Sequence, residues 1–141
     1  MRRMTADETR AFLEAGTRTA KVATVRRDGR SHVVPVWFVV DGDDVVFTTG
    51  ARSLKGKALR RDPRVSLCVD DQRPPFSYVS ITGAASLSTD LDELLRLATR
   101  IGGRYMGADR AEEFGRRNAV PGELLVRLRP ERVIAIADVA D

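Results

Sequence analysis

Residues 31–57 run SHVVPVWFVV (31–40), DGDD (41–44), VVFTTG (45–50) and ARSLKGK (51–57). The pattern is a strand, a tight hairpin, a second strand and the start of a helix. The first strand, His32 to Val40, sets His32, Val34, Val36, Phe38 and Val40 on one face and Val33, Pro35, Trp37 and Val39 on the other. Both faces are apolar, so both need a cover: the protein's own core, another subunit or a flat ligand. Pro35 has no N–H to donate, which assigns it to an edge or a bulge and leaves room for something to approach the backbone. The second strand, Val45 to Thr49, ends in two hydroxyls and Gly50. Ser53 then caps a helix running to about Arg61, which Asp62-Pro63 stops.

Lys55 and Lys57 fall in the first turn of that helix, where free amides and the macrodipole already make the potential positive. Arginine outnumbers lysine 21 to three in this chain, yet two of the three lysines sit in this one turn. An anion held by hydroxyls, amides and ammonium groups together would reconcile the conflict. The alternative is a pair of solvated side chains on an exposed helix.

The flanking sequence builds a mainly antiparallel β protein with inserted helices. Thr5-Ala6-Asp7-Glu8 is a capping box for a helix over about Ala6 to Ala15 that closes at Gly16. Thr19 to Val25 alternates polar and apolar and turns at Arg27-Asp28-Gly29 into the central strand. Arg64 to Val69 and Tyr78 to Leu87 are two further strands parted by DDQRPPF, with a bulge expected at Gly83. Ser88-Thr89-Asp90 caps an amphipathic helix carrying Leu91, Leu94, Leu95, Ala98 and Ile101, expected to break at Gly102-Gly103. A short helix follows Asp109, and Pro121-Gly122 turns into a last strand, Leu124 to Ala137, with an interruption expected near Arg129-Pro130. Six strands in antiparallel succession predict a closed or split barrel, not a doubly wound sheet.

The 141 residues are expected to form one domain with a single core. No apolar run reaches the roughly 20 residues of a membrane span, and the start, MRRMTADETRAF, lacks a secretory signal, which predicts a cytoplasmic protein. A net charge of +4 is too weak a signal for nucleic acid. The arginine pairs at 26–27, 60–61 and 116–117 are each short and free of interleaved aromatics, so solvated faces explain them. The one cysteine, Cys68, reads as a buried structural thiol, and the one histidine, His32, as a structural group on an apolar strand face. No nucleophile elbow, P-loop spacing or metal-ligand cluster is present, so no metal is expected. A chain so poor in reactive groups does chemistry best with a borrowed cofactor.

GRSHVVPVWFVVDGDDVVFTT, then SLKGKALRRDPRVSL and PFSYVSITGAA, resemble the pyridoxamine 5′-phosphate oxidase-like split-barrel superfamily. Within it they are most similar to the B-type flavin/deazaflavin oxidoreductases that use coenzyme F420. RYMGADRAEEFGRRNAVPGELLVRLRPERV extends the likeness toward the C-terminus. The resemblance implies a six-stranded antiparallel, FMN-binding-like split barrel, a homodimer with cofactor at the subunit interface, and hydride transfer from reduced F420 to a planar or conjugated acceptor. It puts the ring-contacting strand on Val34, Pro35, Val36 and Trp37, and the phosphate grip on Thr48, Thr49, Ser53, Lys55 and Lys57. It puts substrate-side aromatics at Phe76 and Tyr78, from the facing subunit. Tyr78 is the one nearby candidate for a proton donor, with packing as its other role and water as the other proton source. The chain ends in VIAIADVAD, without the arginine- and tryptophan-rich segment that vitamin B6 oxidation uses. FMN remains the alternative cofactor, and a flavin, deazaflavin or haem carrier without turnover the alternative role.

Overall fold

The computed structural model describes residues 1–141. In chain order the elements are β1 (Arg2–Arg3), α1 (Ala6–Glu14), β2 (Ala20–Val25), β3 (Ser31–Val36), β4 (Val39–Asp41), β5 (Asp44–Gly50), α2 (Leu54–Arg61), β6 (Arg64–Asp70), β7 (Tyr78–Ser88), α3 (Leu91–Met106), α4 (Ala111–Asn118) and β8 (Glu123–Ala137). A short 3-10 turn, Ala108–Arg110, joins α3 to α4. All pairings are antiparallel, in the order β3-β2-β6-β7-β8-β5-β4, with β1 added on β8.

The two ends of that order, β3 and β4, are consecutive in the chain, joined only by Trp37 and Phe38. Three peptide steps reach about 11 Å at most, so the sheet must curl until its edges nearly meet. They do not pair. The result is a barrel of eight strands left split at the β3–β4 seam, with Val22, Phe38, Phe47, Leu67, Ile81 and Leu128 among its fully buried interior. A smaller core, which includes Val46, Leu94, Leu97 and Leu125, sits between the barrel wall and α3.

The strand expected to run unbroken from His32 to Val40 is therefore two strands, and the cause lies far away in sequence. The Phe38 N–H donates to the Tyr105 hydroxyl at 3.3 Å, and the Phe38 carbonyl accepts from Arg104 Nη1 at 2.9 Å. Both backbone groups are satisfied by α3 side chains, so Phe38 has no need of a ladder partner. The same contacts correct a second expectation, because α3 does not break at Gly102-Gly103 but runs on to Met106. A Cβ on Gly102 would lie 2.6 Å from Phe114 Cβ, and one on Gly115 would meet the Thr99 hydroxyl. These glycines let α3 and α4 pack closely.

Other local readings match. Both halves of the Thr5–Glu8 capping box form, although α1 ends at Glu14 and not Ala15. The register shift falls at Thr82/Gly83, where a Cβ on Gly83 would strike the Arg129 carbonyl. The extra residue of the bulge is Glu131, between Arg132 opposite Thr82 and Pro130 opposite Gly83, and the last strand is not interrupted there. Six expected strands become eight because β1 was too short to read and the central strand divides. No helix is long and apolar enough to cross a membrane.

Candidate functional site

β5 delivers the chain to α2 through a closed hydroxyl network. Ser53 Oγ donates to the Gly50 carbonyl at 2.8 Å and accepts from the Gly56 amide at 3.0 Å. Its one proton is thereby used, so in the 2.9 Å contact with Thr49 Oγ1 the threonine donates. Ser53 has no donor or acceptor left, and Thr49 is buried beside it. These two hydroxyls are committed to shaping the corner. The uncommitted donors at the start of α2 are the amides of Leu54 and Lys55.

The remaining residues expected at the phosphate separate. Thr48 alternates with Thr49 along β5 and points to the opposite face, the one that carries Val46 against α3. Lys55 and Lys57 are two residues apart on a helix and leave it in different directions. Lys55 is the cation whose charge acts on Glu123, which pairs with Gly50 across the β5–β8 ladder. Burial pushes the Glu123 carboxyl above the usual carboxylate range, with Lys55 opposing, and its Oε2 has no hydrogen-bond partner.

Lys57 faces a groove of about 770 Å³ between α2 and the β2–β3 turn, where it meets Arg26, Arg27, Arg60 and Arg61. None of the five has a carboxylate within 4 Å, in contrast to Arg127, which meets Asp41, Asp44 and Glu93. The one acid in the groove, Asp28, is matched by Arg30 at 3.8 Å. Arg60 also lines the adjoining hollow at Gly50, Ala51, Arg52 and Ser53, so this one side chain borders both groove and corner. Two arginine pairs read as separate solvated faces are in fact one cationic surface. Only the fold brings them together.

β3 is a sheet edge, as Pro35 required, and its outer backbone groups face no strand. Alternation divides the expected ring-contacting residues: Pro35 and Trp37 point outward, while Val34 and Val36 point inward and offer only their backbone. Trp37, 38% exposed, is held by Tyr105, whose ring stacks on it at 5.1 Å and 4°. Phe114 packs against it at 5.8 Å, tilted. Tyr105 donates to the Arg18 carbonyl at 2.7 Å, and burial raises its phenol, so it stays protonated. Tyr105 escaped the sequence reading because the helix carrying it was ended three residues early.

Phe76 and Tyr78 lie beside a hollow of about 740 Å³ with Lys21, Cys68 and Asp70. Tyr78 shares the barrel's outer face with Pro35, but three strand spacings away, roughly 14 Å. Within one chain the two sets do not meet. Cys68 is half-buried on this face and not in the core; burial, with Asp70 beside it, pushes its thiol up and keeps it protonated. His32 faces inward opposite Thr24, with its Nδ1 buried and unpartnered.

The architecture defines an open split-barrel protein, mostly β with helices packed outside. The chain belongs to the pyridoxamine 5′-phosphate oxidase family, whose sequence profile matches residues 5–137. Among solved structures it is similar to the conserved hypothetical protein Rv2991 from Mycobacterium tuberculosis, at 28% identity and a TM-score of 0.82 over 92% of this chain and 82% of that one. It is also similar to an F420 reductase, at 24% identity and a TM-score of 0.67 over 87% and 94% of the two chains. HutZ, the haem storage protein from Vibrio cholerae, shares the fold at 17% identity and a TM-score of 0.74 over 96% and 98%. No curated protein matches the sequence.

Proposed function

We propose that this protein is an F420-dependent oxidoreductase that passes a hydride between the deazaflavin and a planar or conjugated small acceptor. The observation that carries the proposal is the unpaired cationic groove that shares Arg60 with the α2 corner. FMN ends at its phosphate and would leave most of those five charges unmatched. Coenzyme F420 carries a chain of carboxylates beyond its phosphate, and that chain matches the groove's charge. The similarity to an F420 reductase is in keeping with this reading. A haem carrier is served less well, since the only histidine points into the barrel.

When bound and reduced, the coenzyme supplies the hydride. The protein's part is to bind and orient: the Leu54 and Lys55 amides with Lys57 and Arg60 would hold the phosphate and tail, and the free edge of β3 with Pro35 would lie against the ring. Trp37, fixed from behind by Tyr105 and Phe114, is a rigid wall against which ring and acceptor align. Single-turnover oxidation of the reduced coenzyme by a quinone tests this division of labour. Trp37→Ala should slow the step by about tenfold or more, since misorientation forfeits much of the proximity advantage. Tyr78→Phe should change it little. The reverse order would make Tyr78 a required acid and positioning secondary.

The outer sheet face leaves Val33 60% exposed and Phe76 43% exposed, with Val25, Ile134 and Val139 also open. We propose that a second copy covers this face, bringing its Phe76 and Tyr78 to the Pro35 edge that they cannot reach in their own chain. Light scattering should give twice the chain mass, and Val33→Asp should lower both dimerisation and coenzyme affinity. A monomer that binds the coenzyme tightly would contradict the shared site.

A further inference from the structure

We infer that the end of the barrel beside α1 is a second binding site, for a small apolar carboxylate. The opening lies beside the β8 bulge at Glu131. Inward-facing residues of β8 are otherwise closed, with Val126 and Leu128 fully buried and Ala135 9% exposed, yet Val133, opposite inward-facing Ile81, is 44% exposed. The breach leads to a cavity of about 350 Å³ walled by Leu13, Val40, Val45, Ile81 and Val133. That is room for about a dozen water volumes, within the usual range for ligand sites, in a place where water finds few polar partners.

The rim supplies the polar end. Arg3 stands at the mouth with no carboxylate within 4 Å, whereas Arg10 is engaged by Glu14 at 3.1 Å and donates to the Gly42 carbonyl. Asp43, the one acid lining the mouth, lies 3.9 Å from Arg10 and is fully exposed. An apolar interior closed by one free guanidinium fits a chain or ring of decanoate size with its carboxylate on Arg3. The cavity is at the Val45 end of β5 and the α2 corner at the Gly50 end, roughly 17 Å apart, so this site is separate from that of the coenzyme.

The test is a titration of the full chain, methyl-labelled at methionine, with decanoate below its micelle concentration. Met4 lines the cavity and Met106 ends α3, so the Met4 methyl should shift saturably while Met106 stays still. Decanol should bind about tenfold or more weakly, as loss of a charge-assisted hydrogen bond predicts, and Arg3→Ala should reduce decanoate to the level of decanol. Val133→Trp should abolish binding, and the milder Val133→Leu should weaken it if the tryptophan variant does not fold. A silent Met4, decanol binding equal to decanoate, or full affinity in both Val133 variants would overturn the site.

Discussion

Combining Lys57→Ala with Arg60→Ala is expected to weaken coenzyme F420 binding about a hundredfold while leaving the fold intact. Both side chains line the groove next to the corner, and neither makes an ion pair inside the protein, so their removal strands no buried charge. Each lost charge-assisted hydrogen bond at an exposed site is worth roughly 1 to 1.5 kcal/mol, about tenfold in affinity. Lys55→Ala should do less, because Lys55 does not line the groove and its charge already acts on Glu123. The loss should be largest at low salt and shrink as ionic strength rises. An equal effect from Lys55 and Lys57 would restore the picture of one anion gripped by both.

Gly56→Ala should cost about 2 kcal/mol of stability and lower the melting temperature by roughly 8 °C. Two effects oppose each other here. Alanine is the better helix former by about 1 kcal/mol. Its Cβ, however, would lie 2.2 Å from the Gly50 carbonyl oxygen and 3.1 Å from two backbone atoms of Ala51. Backbone cannot swing aside as a side chain can, so α2 must lift off the end of β5 at a cost of about 3 kcal/mol. The lift also disturbs the Ser53 network, so coenzyme affinity should fall with stability. Gly50→Ala is the control, since its Cβ would meet nothing within 4 Å. A Gly56→Ala melt at or above the parent's would refute the tight seating of α2.

Features legible in the sequence were those whose cause is local. The Thr5–Glu8 box, the Ser53 cap and the edge placement of Pro35 each follow from a few neighbouring residues. The Gly83 bulge was marked twice, by a glycine on one strand and a proline on its partner. The break at Trp37-Phe38 was hidden because its cause is Tyr105, 67 residues on. Tyr105 was hidden in turn because Gly102-Gly103, read as a helix end, is a packing contact. The cationic groove was hidden most completely. Arg26-Arg27 in a turn and Arg60-Arg61 at a helix end are ordinary by themselves, and only the packing of α2 beside the β2–β3 turn gathers them along one groove.

The central claim is that the corner and groove together hold a cofactor with anionic groups beyond its phosphate. Parallel titrations at one ionic strength, with coenzyme F420, the same deazaflavin lacking its glutamate tail, and FMN, test it most directly. The account predicts tightest binding for the full coenzyme and weaker binding for the tail-less form. FMN should be no better than the tail-less form, and the advantage of the tail should vanish in Lys57→Ala/Arg60→Ala. FMN binding as tightly as the full coenzyme, or an affinity indifferent to the tail, would contradict it.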